Sequence, residues 1–223
     1  MKKLIFSTFA ALLLNIGTSF AQDHEFVQPE CFLCDFEQVW ADKTLQVSQS
    51  IKNPGIKDFV LTFCNEYAEE WGGALGQTID YFENPKQWEK EMEECGGPDF
   101  CEYSPRNGYF VASTWGDGDG FEACYWNCKN GNKLFAVDWS KDTDCLYAVT
   151  LFYDYNPKTH KMVPNKELTA RVKAARLKLA AGLPITYVTL SLPKVGKTIK
   201  MENWETNEKA SYTFDGTSFV GLK

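Results

Sequence analysis

Two carboxylates alternate with glycines in residues 116–120, and a tryptophan directly precedes this segment. Glycine lets a backbone approach a ligand closely and adopt positive φ angles at little cost. The carboxylates could accept hydrogen bonds from hydroxyls or bind cations, and nearby aromatic rings offer flat apolar faces for a sugar or a partner. We therefore predict a ligand site that consists of Trp115, Asp117, Asp119 and Tyr125. The alternative interpretation buries Trp115 under a helix and leaves the turn as a connection between two strands.

No motif in the sequence indicates a particular reaction. Calcium requires more oxygen ligands than this glycine-rich turn supplies. His24 and His160 are the only histidines, and no serine-centred elbow motif accompanies them. The Gly-Lys-Thr sequence at residues 196–198 lacks the glycine that a phosphate-binding loop carries five residues earlier, where Ser191 stands. We predict neither a metal nor a cofactor.

Eight cysteines are a further chemical feature of the chain. An even number of cysteines in an exported chain predicts disulfides. The first two have the Cys-x-x-Cys spacing of redox proteins, but that chemistry needs a preceding strand, which this sequence does not indicate. We interpret all eight as structural disulfide cysteines: Cys31, Cys34, Cys64, Cys95, Cys101, Cys124, Cys128 and Cys145.

Residues 1–21 have the composition of an export signal. Lys2 and Lys3 provide the positive start, residues 4–14 are mostly apolar, and small residues precede the predicted cleavage point. The apolar run is shorter than the roughly 20 residues that a transmembrane helix needs. We expect a signal peptide at 1–21, a mature chain at 22–223 in the periplasm or outside the cell, and no membrane insertion.

The formal net charge of the chain is −7. An acidic chain is a poor partner for nucleic acid, which binds basic surfaces. The sequence contains no repeat, low-complexity run or linker after the signal. We therefore predict that residues 22–223 form a single disulfide-stabilised α+β domain.

Residues 108–155 are the predicted centre of the fold. Runs rich in β-branched and aromatic residues, separated by Gly, Asn and Asp, indicate an antiparallel meander. Amino-terminal helices should cover one face of it, and a carboxy-terminal helix with β-hairpins should complete the fold. The predicted strands are 108–115, 121–128, 133–139, 145–155, 185–192, 197–204 and 210–222; the predicted helices include 54–71, 86–94 and 166–181.

Both faces of the meander are apolar, which predicts that both are covered. Strand alternation puts Cys124, Cys128 and Cys145 on one face together with Phe110 and Val137. Cys124 and Cys128 would then lie about 13 Å apart, too far for a disulfide between them. We expect the amino-terminal segment to pack on this cysteine-bearing face.

Two disulfide predictions follow from this arrangement. Cys95 should pair with Cys101, because the two bracket a Gly-Gly-Pro turn. At least one cysteine of the sheet should pair with the amino-terminal group. The sheet group is Cys124, Cys128 and Cys145, and the amino-terminal group is Cys31, Cys34 and Cys64.

Residues 211–219 combine an aromatic strand, an Asp-Gly turn and a strand that contains Phe. With the signal peptide and the eight cysteines, this pattern resembles exported bacterial proteins of unknown function. The resemblance covers mainly the last forty or so residues. It implies an envelope or secreted location and carries over no catalytic residues.

The sequence favours an exported, non-catalytic domain that binds a protein or a glycan. This hypothesis depends on the lack of a recognisable nucleophile–base pair, metal cluster or cofactor loop. The alternative is a secreted hydrolase that acts on glycans through carboxylates. Two carboxyl groups about 5 to 10 Å apart in a cleft would favour the enzyme.

Overall fold

The computed structural model of the chain describes residues 42–71, 73–94, 100–113, 120–141 and 147–223. These residues form four α-helices, one short 3-10 helix at Ile185–Tyr187, and eleven strands. The α-helices are α1 (Ile56–Trp71), α2 (Gly73–Glu83), α3 (Pro85–Glu94) and α4 (Lys166–Ala180). The strands are β1 (Leu45–Gln46), β2 (Phe100–Ser104), β3 (Tyr109–Ser113), β4 (Gly120–Asn127), β5 (Lys133–Lys141), β6 (Tyr147–Asn156), β7 (Lys161–Pro164), β8 (Val188–Ser191), β9 (Thr198–Asn203), β10 (Lys209–Phe214) and β11 (Phe219–Val220).

Helix α1 confirms the longest amphipathic pattern of the amino-terminal half. Its first turn is capped by Asp58, whose Oδ2 accepts a hydrogen bond from the Gly55 amide at 2.7 Å. The helix therefore begins two residues after the predicted start at Pro54. Its buried residues recur at a spacing of three and four, as a helix that covers a sheet requires. They are Ile56, Phe59, Val60, Phe63, Cys64 and Tyr67.

Seven strands form one antiparallel sheet in the order β1-β7-β6-β5-β4-β3-β2, here called the main sheet. Its four central strands are the predicted meander. Strands β1, β2 and β7 were not predicted. Strand β7 lies within residues 156–165, which contain two prolines and therefore indicated a loop. Pro164 is the last residue of β7, so it occupies a strand end, where proline is tolerated.

Helices α1 and α2 cover one face of the main sheet, and α3 packs against α2 through Tyr81 and Trp88, whose ring centroids are 5.2 Å apart. The opposite face is covered by α4 and by a second antiparallel sheet in the order β11-β10-β9-β8. Both faces of the meander are therefore buried, as predicted. All described residues lie within one compact unit, which spans Phe32–Lys223.

Helix α4 shows why its boundaries were predictable. Asn165 caps its start by accepting a hydrogen bond from the Leu168 amide at 3.0 Å. After its last turn, Ala181 and Gly182 both take positive φ angles, which end a helix. The sequence signals for these caps are local, so tertiary contacts did not have to be known.

The register of β4 differs from the prediction and reverses which side chains share a face. Ala123 pairs with Phe110, and Cys124 pairs with Tyr109. Cys124 and Cys128 therefore lie on the face covered by the second sheet, and the helices cover Phe110 and Ala123 instead. Side chains alternate between the two faces of a sheet. A shift of one residue in the pairing of β4 with β3 therefore moves every side chain of β4 to the opposite face.

The predicted disulfides between the sheet and the amino-terminal group are wrong for the described cysteines. Cys64, Cys124 and Cys128 carry free thiols. Cys64 lies under α1, whereas Cys124 and Cys128 lie on the far side of the main sheet, so the sheet itself separates them. Four cysteines lie outside the described residues: Cys31, Cys34, Cys95 and Cys145. The pair Cys95–Cys101, and a pair between Cys145 and Cys31 or Cys34, therefore stay predictions.

None of the helices in the described residues combines the length and apolar character that a membrane crossing requires.

Candidate functional site

Three residues of the predicted ligand site, Trp115, Asp117 and Asp119, lie outside the described residues. The fourth, Tyr125, lies on β4 and faces the helices. It is five residues from Gly120, roughly 17 Å along the strand at ~3.4 Å per residue. Gly120 is the first described residue after that segment, so Tyr125 lies near the opposite end of the strand.

Tyr125 is held tightly by its neighbours. Its ring centroid is 5.5 Å from that of Phe59 in α1, in an edge-to-face contact. The Lys133 ammonium lies 4.6 Å from the Tyr125 ring centroid, a cation–π distance. A Cβ placed on Gly108 would stand 2.7 Å from the Tyr125 ring, so the ring occupies the space that a side chain would need. These contacts give Tyr125 a structural role at this end of the helix layer.

Lys133 and His160 are the remaining candidates for chemistry at that end. Burial lowers the pKa of Lys133, and Asp58 opposes this shift. The Lys133 ammonium donates a hydrogen bond to the Pro54 carbonyl, which ties β5 to the start of α1. His160 has a positive φ of 55°, and its Nδ1 lies 3.4 Å from the Tyr155 hydroxyl. Both residues therefore join elements of the fold.

A pair of carboxylates, one buried and one half-buried, lies on the other face of the main sheet. Glu122 and Asp138 are directly opposite on β4 and β5, and cross-strand Cβ atoms are about 5 Å apart. The Asp138 Oδ1 accepts hydrogen bonds from Arg176 Nη1 at 3.1 Å and from Thr150 Oγ1 at 2.6 Å. Burial raises the pKa of Asp138, and the Arg176 charge opposes this.

Glu122 differs from Asp138 because its described partners are neutral. Its Oε1 accepts from the Tyr109 hydroxyl at 2.7 Å, and its Oε2 accepts from the Leu192 amide at 2.8 Å. Burial raises the pKa of Glu122 to about 7, although both hydrogen bonds act in the opposite direction. All four hydrogen bonds of the carboxylate pair are made with other groups of the protein. This favours a structural role, in which the two carboxylates join the main sheet to the elements that cover it, over a role in catalysis.

An exposed tryptophan, Trp204, directly follows β9. Trp204 is 53% exposed, although tryptophan is usually well buried. Its ring stacks on that of Tyr187, with centroids 4.4 Å apart and an angle of 13° between the planes. The Trp204 amide also donates a hydrogen bond to the Tyr187 carbonyl at 3.1 Å. We call these two residues the aromatic platform.

A buried asparagine fixes the turn that carries Trp204. Asn203 is 0% exposed. Its Oδ1 accepts hydrogen bonds from the amides of Glu205 and Thr206 at 3.0 and 3.1 Å, and its Nδ2 donates to the Leu179 carbonyl at 2.9 Å. The turn is thereby attached to the end of α4. Trp204 is exposed but held in a defined orientation.

Sequence reasoning did not single out the aromatic platform. Tyr187 and Trp204 were assigned to predicted strands, and their contact joins positions 17 residues apart, which alternation within one strand does not reveal. A local signal was present: asparagine often begins a turn by accepting hydrogen bonds from the backbone two residues later. Asn203 directly before an aromatic residue therefore indicated a turn that displays a ring.

Searches against known protein families, curated proteins and solved structures find no match to this chain.

Proposed function

We propose that this protein is an exported, non-catalytic domain that binds glycans on the aromatic platform. The observation that carries this proposal is the exposed ring of Trp204, stacked on Tyr187 and fixed by the buried Asn203. Asn203 hydrogen-bonds backbone groups of the turn and of α4, so it holds the turn that displays the Trp204 ring. The flat face of an indole suits the apolar C–H face of a sugar ring.

The turn around Trp204 also supplies polar groups. Glu205, Thr206 and Asn207 follow it and are exposed, so a carboxylate, a hydroxyl and an amide lie within the same turn. Ligand sites combine an apolar surface with a few such groups that hydrogen-bond hydroxyls and fix orientation. Because the turn is already ordered, less conformational entropy is lost on binding.

The second candidate function is a carboxylate-dependent glycan hydrolase. Glu122 and Asp138, directly opposite on neighbouring strands, supply the two carboxyl groups that such chemistry needs. Both oxygens of Glu122 and the Oδ1 of Asp138, however, already accept hydrogen bonds from Tyr109, Leu192 and Arg176, inside the contact between the two sheets. This favours binding over hydrolysis.

Export and disulfide formation remain part of this proposal. A signal peptide at 1–21 would place the platform in the periplasm or outside the cell, where glycans are accessible. The cysteines that remain as disulfide candidates are Cys31, Cys34, Cys95, Cys101 and Cys145.

The test is a binding screen with soluble and insoluble polysaccharides and peptidoglycan, followed by calorimetry on each ligand that binds. Trp204→Ala should abolish binding with little change in the free energy of unfolding, because the ring is exposed. Tyr103→Ala is the matched control, since Tyr103 is also exposed, at 37%, but lies on the helix side of the main sheet. Unchanged affinity in Trp204→Ala, or no glycan bound at all, would contradict the proposal.

A further inference from the structure

A pocket of about 140 Å³ opens between the start of α4 and the hairpin of β10 and β11. Buried apolar side chains lie beneath it, most of its exposed lining is polar, and it shares no residue with the aromatic platform. The buried apolar residues that line it are Leu134, Leu168, Phe214 and Phe219. The polar residues that line it are Cys128, Asp154, Asn165, Glu167, Arg171, Thr217 and Ser218.

The charges around the pocket leave one carboxylate without a cationic partner. Arg171 donates a hydrogen bond through Nη2 to the Leu222 carbonyl, and its Nη1 lies 3.9 Å from Glu167 Oε1. Asp154 accepts a hydrogen bond from the neutral Asn165 amide at 2.9 Å. Within the described residues Asp154 has no ion-pair partner. Two carboxylates and one guanidinium give the lining a formal charge of −1.

The remaining lining groups do not compensate for this charge. Burial, followed by the charge of Asp154, raises the pKa of the Cys128 thiol, so Cys128 stays neutral. The amides of Thr217 and Ser218 are already bound to Asp215 Oδ1, at 2.7 and 3.0 Å. The pocket therefore offers a small apolar surface and, at its edge, the negatively charged carboxylate of Asp154 as a hydrogen-bond acceptor.

We propose that this pocket binds a primary alkylammonium group, such as the end of a lysine side chain. The ammonium would pair with Asp154 at the rim, and the alkyl carbons beside it would lie over the small part of Phe214 and Phe219 that the pocket exposes. Lysine side chains characteristically bury the stem and keep the charged end at a polar edge. A cavity of about 150 Å³ is large enough to hold benzene, so a four-carbon stem fits here.

The experiment is an NMR titration of the whole mature chain with n-butylammonium, 1-butanol and butyrate. The three probes have stems of similar length and differ in charge. Binding of n-butylammonium should perturb the signals of Phe214 and Phe219 and should weaken with added salt. 1-Butanol should bind about tenfold less tightly, because it lacks the charged contact with Asp154. Equal binding of 1-butanol, tighter binding of butyrate, or no perturbation of these signals would overturn the proposal.

Single substitutions test whether the charge of Asp154 is responsible for n-butylammonium binding. Asp154→Asn keeps an acceptor for Asn165 and should weaken n-butylammonium binding about tenfold, while 1-butanol binding stays unchanged. Glu89→Gln is the matched control, because it removes the same charge from an exposed position on α3, on the other side of the main sheet. An unchanged affinity in Asp154→Asn would overturn the proposal. If that variant fails to fold, the comparison of the three probes on the wild-type chain decides alone.

Discussion

Glu122 and Asp138 lie directly opposite each other on β4 and β5, but within the described part of the chain only Asp138 has a cationic partner. Arg176 reaches Asp138 from α4, whereas Glu122 meets the Tyr109 hydroxyl and the Leu192 amide. Both carboxylates connect the main sheet to the elements that cover it. The charge of Glu122 is therefore the less well compensated of the two, and the two carboxylates should respond differently to pH and to substitution.

We predict that Glu122→Gln stabilises the protein above pH 7. The pKa of Glu122 is raised from 4.5 to about 7 in the folded state. A raised carboxyl pKa means that the folded state binds a proton more tightly than the unfolded state. The contribution to stability is therefore full below pH 4.5 and is lost as the pH rises through 7.

Urea unfolding of the wild type and of Glu122→Gln between pH 5 and pH 8.5 measures this effect. Glutamine keeps an acceptor for Leu192 and has no charge to bury. The variant should be more stable by about 2 kcal/mol at pH 8, and the difference should shrink towards pH 5. A difference that is independent of pH would show that the charge of Glu122 is not the cause.

Removal of Arg176 should have the opposite effect. Arg176→Met leaves the buried Asp138 without its ion pair, which should cost about 3 to 5 kcal/mol of unfolding free energy. Adding Asp138→Asn should recover much of that loss, because the unpaired buried charge is then removed. Calorimetric unfolding of both single variants and the double variant measures the coupling. Strictly additive losses would mean that the Arg176–Asp138 pair contributes no interaction of its own.

Much of the fold was accessible from local sequence patterns. The apolar stripe of α1, the bounds of α4 and the central strands β3 to β6 were predicted because each depends on neighbours within a few residues. The short strands β1 and β7 were missed, since they pair with each other over more than 110 positions. Their formation depends on tertiary pairing, which overrides weak local preference.

The candidate site was less predictable than the fold. Tyr125 was singled out as a ligand residue, yet it packs against Phe59, because the register of β4 could not be derived from its own sequence. The Tyr187–Trp204 stack depends on the tertiary structure, which places the 3-10 helix beside the end of β9. Likewise, the pair of Asp138 and Arg176 joins residues 38 positions apart. Contacts of this kind can be predicted only when the order and pairing of the strands and helices are already known.

Gly108→Ala tests how tightly the Tyr125 ring is packed. Gly108 has a φ of +67°, and an added Cβ would lie 2.7 Å from the Tyr125 ring. The matched control is Gly131→Ala, at a φ of +84° with no atom within 4 Å of the added Cβ. Gly131→Ala should cost about 1 to 2 kcal/mol for the backbone strain alone. Chemical denaturation should show a larger loss for Gly108→Ala, and equal losses would mean that the ring moves aside freely.

The free thiols give a direct test of the corrected disulfide pattern. When the protein is denatured without a reductant and treated with iodoacetamide, peptide mapping should find Cys64, Cys124 and Cys128 alkylated. In the native protein Cys128 should react first, because it is half-buried, whereas Cys64 and Cys124 are buried. Burial raises the pKa of all three thiols, so each reacts slowly at neutral pH. A disulfide at any of the three would contradict the structure.

Asn203 should control the affinity of the aromatic platform without touching the ligand. Asn203→Ala removes the acceptor for Glu205 and Thr206 and leaves the Leu179 carbonyl without its donor, which should cost about 1 to 3 kcal/mol of stability. It should also weaken glycan binding, because Trp204 would then have to be ordered on binding. Val172→Ala is the control: it creates a cavity under α4 of similar cost, about 2 kcal/mol, and leaves the turn intact. Calorimetric titration with the glycan found in the screen should show weaker binding for Asn203→Ala and unchanged binding for Val172→Ala. Equal affinities in both variants would mean that the turn need not be fixed for the platform to work, and that the buried asparagine serves only the fold.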